Sequence, residues 1–128
     1  MQLDKFIIKG GIPLKGDLVP SGNKNAALPL LAACLLTAEP VILHNVPEIR
    51  DVQTMLELIR SLGTEVTSLG SNSYRIQAQD IASSRLDPEL LKAIRASILL
   101  AGPMTARTGE LDLSPPGGDV IGRRRVDT

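Results

Sequence analysis

The longest uninterrupted apolar stretch runs from Ala26 to Leu36 and holds no charged residue. Five small or polar residues precede it, Ser21-Gly22-Asn23-Lys24-Asn25. Ser and Asn cap helix starts because their side chains accept bonds from the free N–H groups of the first turn. An apolar run without a polar stripe predicts a helix covered on all sides, its N-terminus opening at a surface. Pro29 interrupts this pattern, since an internal proline removes a hydrogen bond and clashes with the preceding turn. Either the regular helix starts near Pro29, or it kinks there.

Elsewhere the spacing predicts shorter elements. Phe6-Ile7-Ile8 reads as a strand closed by Gly10-Gly11, and Leu14–Val19 as a second ended by Pro20. Val41–His44 is a strand stopped by Asn45 and Pro47. Asp51 is expected to cap a helix over Val52–Leu62, with Val52, Met55, Leu56, Ile59 and Leu62 on its single packed face. Gly63 fits the left-handed position past its end. Glu65–Thr67 and Tyr74–Ile76 flank a hairpin turn at Gly70–Ser73, and Asp80–Arg85 is a loop. Asp87-Pro88 marks a helix start, with the helix expected to run to Gly102-Pro103 on a core face of Leu91, Ile94, Ile98 and Ala101. Glu110–Leu113 is a further strand, followed by a Pro- and Gly-rich loop. A weak echo pairs Leu31-Ala32-Ala33 with Leu100-Ala101-Gly102 and hints at a repeated helix–strand unit.

Composition narrows the function classes. The chain has 128 residues, room for one domain with a real core. Its 14 basic and 14 acidic residues give zero net charge, which argues against a nucleic-acid or polybasic membrane binder. One Tyr, one Phe and no Trp leave no base-stacking platform. Cys34 is alone and inside the apolar run, so it reads as a buried structural thiol. His44, the one histidine, lacks the companions that a metal site needs. Met1–Lys5 lacks the apolar region of a signal peptide, and the apolar run falls short of the roughly 20 residues a membrane span requires. A soluble cytoplasmic protein is expected.

Several cations sit on separate elements. Lys24 joins the free N–H groups of a helix start, which attract anions; a capped core helix with a solvated lysine accounts for the same residues. Arg95 falls near the border of its helix's apolar face. In Pro115-Pro116-Gly117-Gly118-Asp119, two prolines stiffen a loop whose glycines permit close backbone approach. Asp119 is the acid at its tip, and Arg124 and Arg125 follow. If these groups converge, they form a site for a small, multiply charged anion, since arginine suits phosphate and carboxylate.

Three stretches together carry a resemblance: Ser21–Pro29, Arg95-Ala96-Ser97, and Pro116-Gly117-Gly118-Asp119-Val120-Ile121-Gly122. In this order they resemble the enolpyruvyltransferase family, most of all its members that act on UDP-N-acetylglucosamine; the resemblance covers nearly the whole chain. It implies an α/β (α+β) fold, an inside-out α/β barrel of repeated βαβαββ units in two domains. Residues 1–20 would be strands of the otherwise missing second domain, and 21–128 the N-terminal part of the catalytic domain. The implied reaction transfers enolpyruvyl from phosphoenolpyruvate to UDP-N-acetylglucosamine, the first committed step of peptidoglycan synthesis. No cofactor or metal, no nucleic acid and no membrane is implied, and the intact enzyme would be a monomer. By position, Lys24 would contact phosphoenolpyruvate, Asn25 the sugar, Arg95 the sugar nucleotide and Arg124 both substrates. Arg125, Val126, Asp127 and Thr128 would begin the uridine-binding loop. Asp119 stands where the family commonly has cysteine, which implies a different acid and resistance to the thiol-alkylating epoxide fosfomycin. Arg125 stands where proline is common. Alternatives are the shikimate-pathway enolpyruvyltransferase and a non-catalytic stand-alone α/β domain.

Overall fold

Helix α2, Arg50–Ser61, is the element the others pack around. Val52, Met55, Leu56, Leu58 and Ile59 are fully buried and Thr54 nearly so. The expected apolar face is therefore right but too narrow: α2 is covered by neighbours on most of its circumference. Asp51 is not its cap. Ile49 holds the cap position without a side-chain bond, and Asp51 lies in the first turn, where a carboxylate meets the positive end of the helix dipole. At the other end Gly63 (φ 94°) donates to Arg60 O at 2.9 Å and Thr64 to Ile59 O at 3.3 Å. These bonds form a left-handed C-terminal cap. The computed structural model describes residues 5–113 and Gly117.

The sheet lies to one side of α2. Strands β1 (Val41–Leu43), β2 (Glu65–Gly70) and β3 (Ser73–Gln77) pair antiparallel in the order β1-β3-β2. Val41, Ile76 and Val66 align across the sheet, as do Ile42, Arg75 and Thr67. The first row faces the core; the second faces solvent, where Arg75 pairs with Glu65 at 3.8 Å. Ser71 and Asn72 both have positive φ, 48° and 55°. Two such residues make the hairpin turn whose twist matches its strands.

Helix α1 spans Lys24–Ala33 and continues into a 3₁₀ turn at Cys34–Leu36. It starts well before Pro29, so a start at Pro29 does not hold. Asn25 and Pro29 are both exposed, and water can meet the Asn25 carbonyl that Pro29 cannot bond. The helix is not covered on all sides. Ala27, Leu28, Leu31 and Ala32 are buried, whereas Leu30 is 51% exposed and Leu36 54%. With Ala26, Pro29 and Ala33, also exposed, they form an apolar stripe at helical spacing.

Further expectations fail. Residues 5–20 form no strand, and Phe6, Ile7, Ile8, Leu14, Leu18 and Val19 are exposed. A strand needs a partner to receive its ladder bonds, and none lies beside this stretch among the described residues. The helix that begins at Asp87-Pro88 does so as expected, with Asp87 Oδ1 accepting from Glu89 N at 2.8 Å. It then stops: α3 covers only Pro88–Ala93, Ile94 is extended, and a 3₁₀ segment over Arg95–Leu100 leads into α4, Ala101–Thr108. Pro103 explains the restart. In one continuous helix its ring would meet the Leu99 carbonyl; a helix starting at Ala101 puts it in the first turn, where no N–H is needed. Ile98 and Ala101 are consequently only part-buried, and Leu100 and Met104 fill the core instead. The Glu110–Leu113 strand reduces to one parallel bridge, Asp112 to Arg85. The echo fails with it, because Leu31 lies within α1 and Leu100 ends the 3₁₀ segment.

The order α1-β1-α2-β2-β3 repeats the last five elements of a βαβαββ unit. The Arg107 guanidinium locks this unit to α4. It donates to the carbonyls of Leu35 and Ala78 at 2.9 Å each and of Gln79 at 3.3 Å.

Candidate active site

The N-termini of α1 and α2 meet. Asn23 caps α1, its Oδ1 accepting from Asn25 N at 2.7 Å, and its carbonyl accepts from Ala27 N at 2.9 Å. Lys24 is thus the first residue of α1, and its Nζ lies 2.5 Å from Asp51 Oδ2 in the first turn of α2. Both side chains keep contact with solvent, 49% and 36% exposed. An ion pair so exposed is worth at most about 1 kcal/mol to the fold.

Gly22 explains why the two helix starts lie so close. A Cβ there would fall on the Asn45 carbonyl oxygen and 3.0 Å from Pro47 Cδ. Only glycine lets the chain entering α1 cross the loop between β1 and α2 at this distance. That loop is itself held: Val46 N donates to Asn72 O at 2.8 Å, and His44 Nδ1 lies 3.0 Å from Ser73 Oγ. His44 is therefore tied to the hairpin.

Arg95 lies elsewhere on the same packed group. It opens the 3₁₀ segment, which rests on α1 and α2, and its side chain is half-buried. Gly117 N donates to Leu91 O at 3.1 Å, meeting a carbonyl that the end of α3 leaves free, and a Cβ on Gly117 would strike the Lys92 carbonyl. Gly117 is thereby anchored within a few residues of Arg95. Lys24, Asn25 and Arg95 are placed on one cluster of elements; Asp119, Arg124, Arg125, Val126, Asp127 and Thr128 lie outside the described residues.

Sequence reasoning missed two residues here. Asp51 reads as a helix cap, yet its partner is Lys24. Gly22 reads as a loop residue, and nothing in its neighbours signals the crossing at Asn45. Cys34 fits its expected role: buried, its thiol donating to Leu30 O at 3.2 Å, its pKa pushed up by loss of water. Among the described residues no group of three or more His, Cys, Asp or Glu could hold a metal ion, and no helix is long and apolar enough to cross a membrane.

Chemically, the meeting point offers one cation, the positive ends of two helix dipoles and one carboxylate. Removing or offsetting that carboxylate's charge would leave a receptor for a phosphate.

Known proteins resemble this chain over most of its length. The chain is 58% identical over 124 residues to a UDP-N-acetylglucosamine 1-carboxyvinyltransferase of Bradyrhizobium diazoefficiens, covering 97% of this chain and 29% of that protein. It is 50% identical over 126 residues to the same-named protein of Treponema denticola, covering 98% and 30%. The chain thus spans less than a third of these relatives' length. Among solved structures, the enolpyruvyl transferase NikO from Streptomyces tendae superposes with a TM-score of 0.68 at 26% identity, over 78% of this chain and 23% of that one. The expected α/β enolpyruvyltransferase fold is therefore present, in part. The model of the EPSP synthase (3-phosphoshikimate 1-carboxyvinyltransferase) family matches residues 8–128, and the chain belongs to that family.

Proposed function

We propose that the protein to which this chain contributes transfers the enolpyruvyl group of phosphoenolpyruvate to the 3-hydroxyl of UDP-N-acetylglucosamine and releases phosphate. The observation that carries this reading is the 58% identity to a UDP-N-acetylglucosamine 1-carboxyvinyltransferase across 97% of the chain. The family model's own name, a 3-phosphoshikimate 1-carboxyvinyltransferase, supports the second reading, in which shikimate 3-phosphate is the acceptor.

In the reaction the sugar hydroxyl adds to C2 of phosphoenolpyruvate while C3 takes up a proton. A proton then leaves C3 and phosphate leaves C2, restoring the double bond as an enol ether. Lys24 would stabilise the phosphate as its charge grows. Arg124 would contact both substrates; Asn25, Arg95, Arg125, Val126, Asp127 and Thr128 would hold the sugar nucleotide. Asp119 would carry the proton to and from C3, since a carboxylic acid can do so if its pKa approaches working pH. A carboxylate is a poorer nucleophile than a thiolate towards an epoxide, hence the proposed fosfomycin resistance. The setting is peptidoglycan synthesis in the cytoplasm, by a monomer without membrane or nucleic-acid partners.

The exposed apolar residues of 5–20 and the bare stripe on α1 support the division in which 1–20 belongs to a second domain and 21–128 to the catalytic one. The test is turnover of the full-length protein with phosphoenolpyruvate and each acceptor, read as phosphate release. Release with UDP-N-acetylglucosamine supports the proposal. Release only with shikimate 3-phosphate favours the second reading, and release with neither removes both.

A further inference from the structure

We propose that Asp51 is the positioning residue of Lys24. It would hold the ammonium at the meeting point of the two helix starts until the phosphate-bearing substrate arrives. The inference rests on the proposed function, because it assigns Lys24 the substrate phosphate.

A lysine at the first position of a helix is badly placed. The positive end of the helix dipole repels a cation by about 0.3–1 kcal/mol, and the four-carbon stem carries about 2 kcal/mol of rotamer freedom. Left alone, Lys24 would swing towards water. Asp51 opposes both tendencies: its carboxylate stands 2.5 Å from Nζ. The carboxylate is in turn favoured by its own place in the first turn of α2. The spacing between them is set by backbone, through the crossing of Gly22 over Asn45. The Lys24 ammonium is therefore held from α2 rather than by α1, to which it is bonded. Asp51 also carries a cost, since its charge repels an arriving phosphate. Placement outweighs it: a misplacement of about 1 Å can cost roughly 10²-fold in rate, whereas solvent screens repulsion between exposed charges.

The experiment uses the full-length protein and the variants Asp51→Asn, Lys24→Ala and the double variant. Asp51→Asn should lower kcat/KM for phosphoenolpyruvate about tenfold or more, leave KM for UDP-N-acetylglucosamine within twofold, and recover in part as Asp51→Glu. In the Lys24→Ala background the same change should have no further effect. An equal loss in both backgrounds would mean that Asp51 acts through α2 alone, and no loss would mean that it positions nothing; either overturns the proposal. A second measurement needs no activity and no variant. Acylation of Lys24 by an amine-directed reagent, followed by mass spectrometry in the unmodified protein, should speed up severalfold from low to high salt as the pair is screened. Lys15, exposed and without an ion pair among the described residues, is the internal reference. Parallel behaviour of the two lysines overturns the pairing itself. If turnover is absent with both acceptors while Lys24 labelling still responds to salt, the proposed function has failed and the pairing has not.

Discussion

Replacing Gly22 by alanine tests the link from backbone packing to the site. The added Cβ would overlap the Asn45 carbonyl oxygen, and Asn45 C and Pro47 Cδ lie at 3.0 Å. None of these is the free end of a flexible side chain, so the entry to α1 must move away from the β1–α2 loop. Overpacking of this kind costs typically 1–3 kcal/mol. The loop has little freedom to yield, because Val46 is bonded to Asn72 and His44 to Ser73. The displacement therefore falls on α1, and Lys24 lies two residues beyond the substitution. A shift of about 1 Å there predicts a loss near 10²-fold in kcat/KM for phosphoenolpyruvate. Gly102→Ala is the matched control: nothing lies within 4 Å of its Cβ, so helix propensity alone should stabilise by about 0.5–1 kcal/mol. Urea denaturation measures the stability of both variants, and steady-state kinetics of the full-length protein measures the rate. A Gly22→Ala protein with unchanged urea midpoint and kcat/KM within threefold of the parent would refute the reasoning.

Other outcomes follow from single observations. Arg107→Met should destabilise by about 2–4 kcal/mol in urea, because the buried carbonyls of Leu35 and Ala78 lose a charged donor. Thr64→Val should be neutral or stabilising by about 1 kcal/mol in the same assay, since the buried Thr64 hydroxyl has no partner among the described residues. Burial raises the Cys34 pKa above 9.0, so the unfolded thiol ionises first. The stability it contributes is intact below about pH 9 and declines as pH rises further, a decline that Cys34→Ala should remove from a pH series of urea midpoints. Asp119→Cys should keep turnover and become labelled by fosfomycin in a mass spectrum, while the unmodified protein stays unlabelled.

Elements defined by local chemistry were legible in the sequence. The β2–β3 hairpin rests on a turn of Gly70–Ser73, and the end of α2 on Gly63; both depend on residues within a few positions. Asp87-Pro88 likewise marked the start of α3. The misses arise where distant residues decide. Nothing near Ile94 announces the break after α3, because the constraint comes from Pro103 and from the packing of Leu100 and Met104. Apolar composition alone could not reveal that Leu30 and Leu36 face outward, since burial depends on which neighbours are present. The candidate site is legible in the sequence only as residue types, Lys24, Asn25 and Arg95, named from their motifs. The Lys24–Asp51 pair was not, because the two are 27 positions apart and each has an ordinary local explanation.

Comparison of the helix starts sharpens that point. First-turn acids complement the helix dipole, and α2 and α3 follow this rule with Asp51 and Glu89. Helix α1 inverts it, having no first-turn acid and a lysine at its first position. Stability does not explain the inversion, since the exposed pair with Asp51 offsets the dipole repulsion without gaining much beyond it. Departures from a local rule without a stability gain are expected at functional positions. A bound phosphate would change the balance. Its charge would meet the Lys24 ammonium and the positive end of the α1 dipole together, so the dipole that disfavours the lysine would favour the lysine and its anion as a unit. A phosphate there would add to the negative charge that Asp51 already supplies, and its position is the one proposed for the departing phosphate.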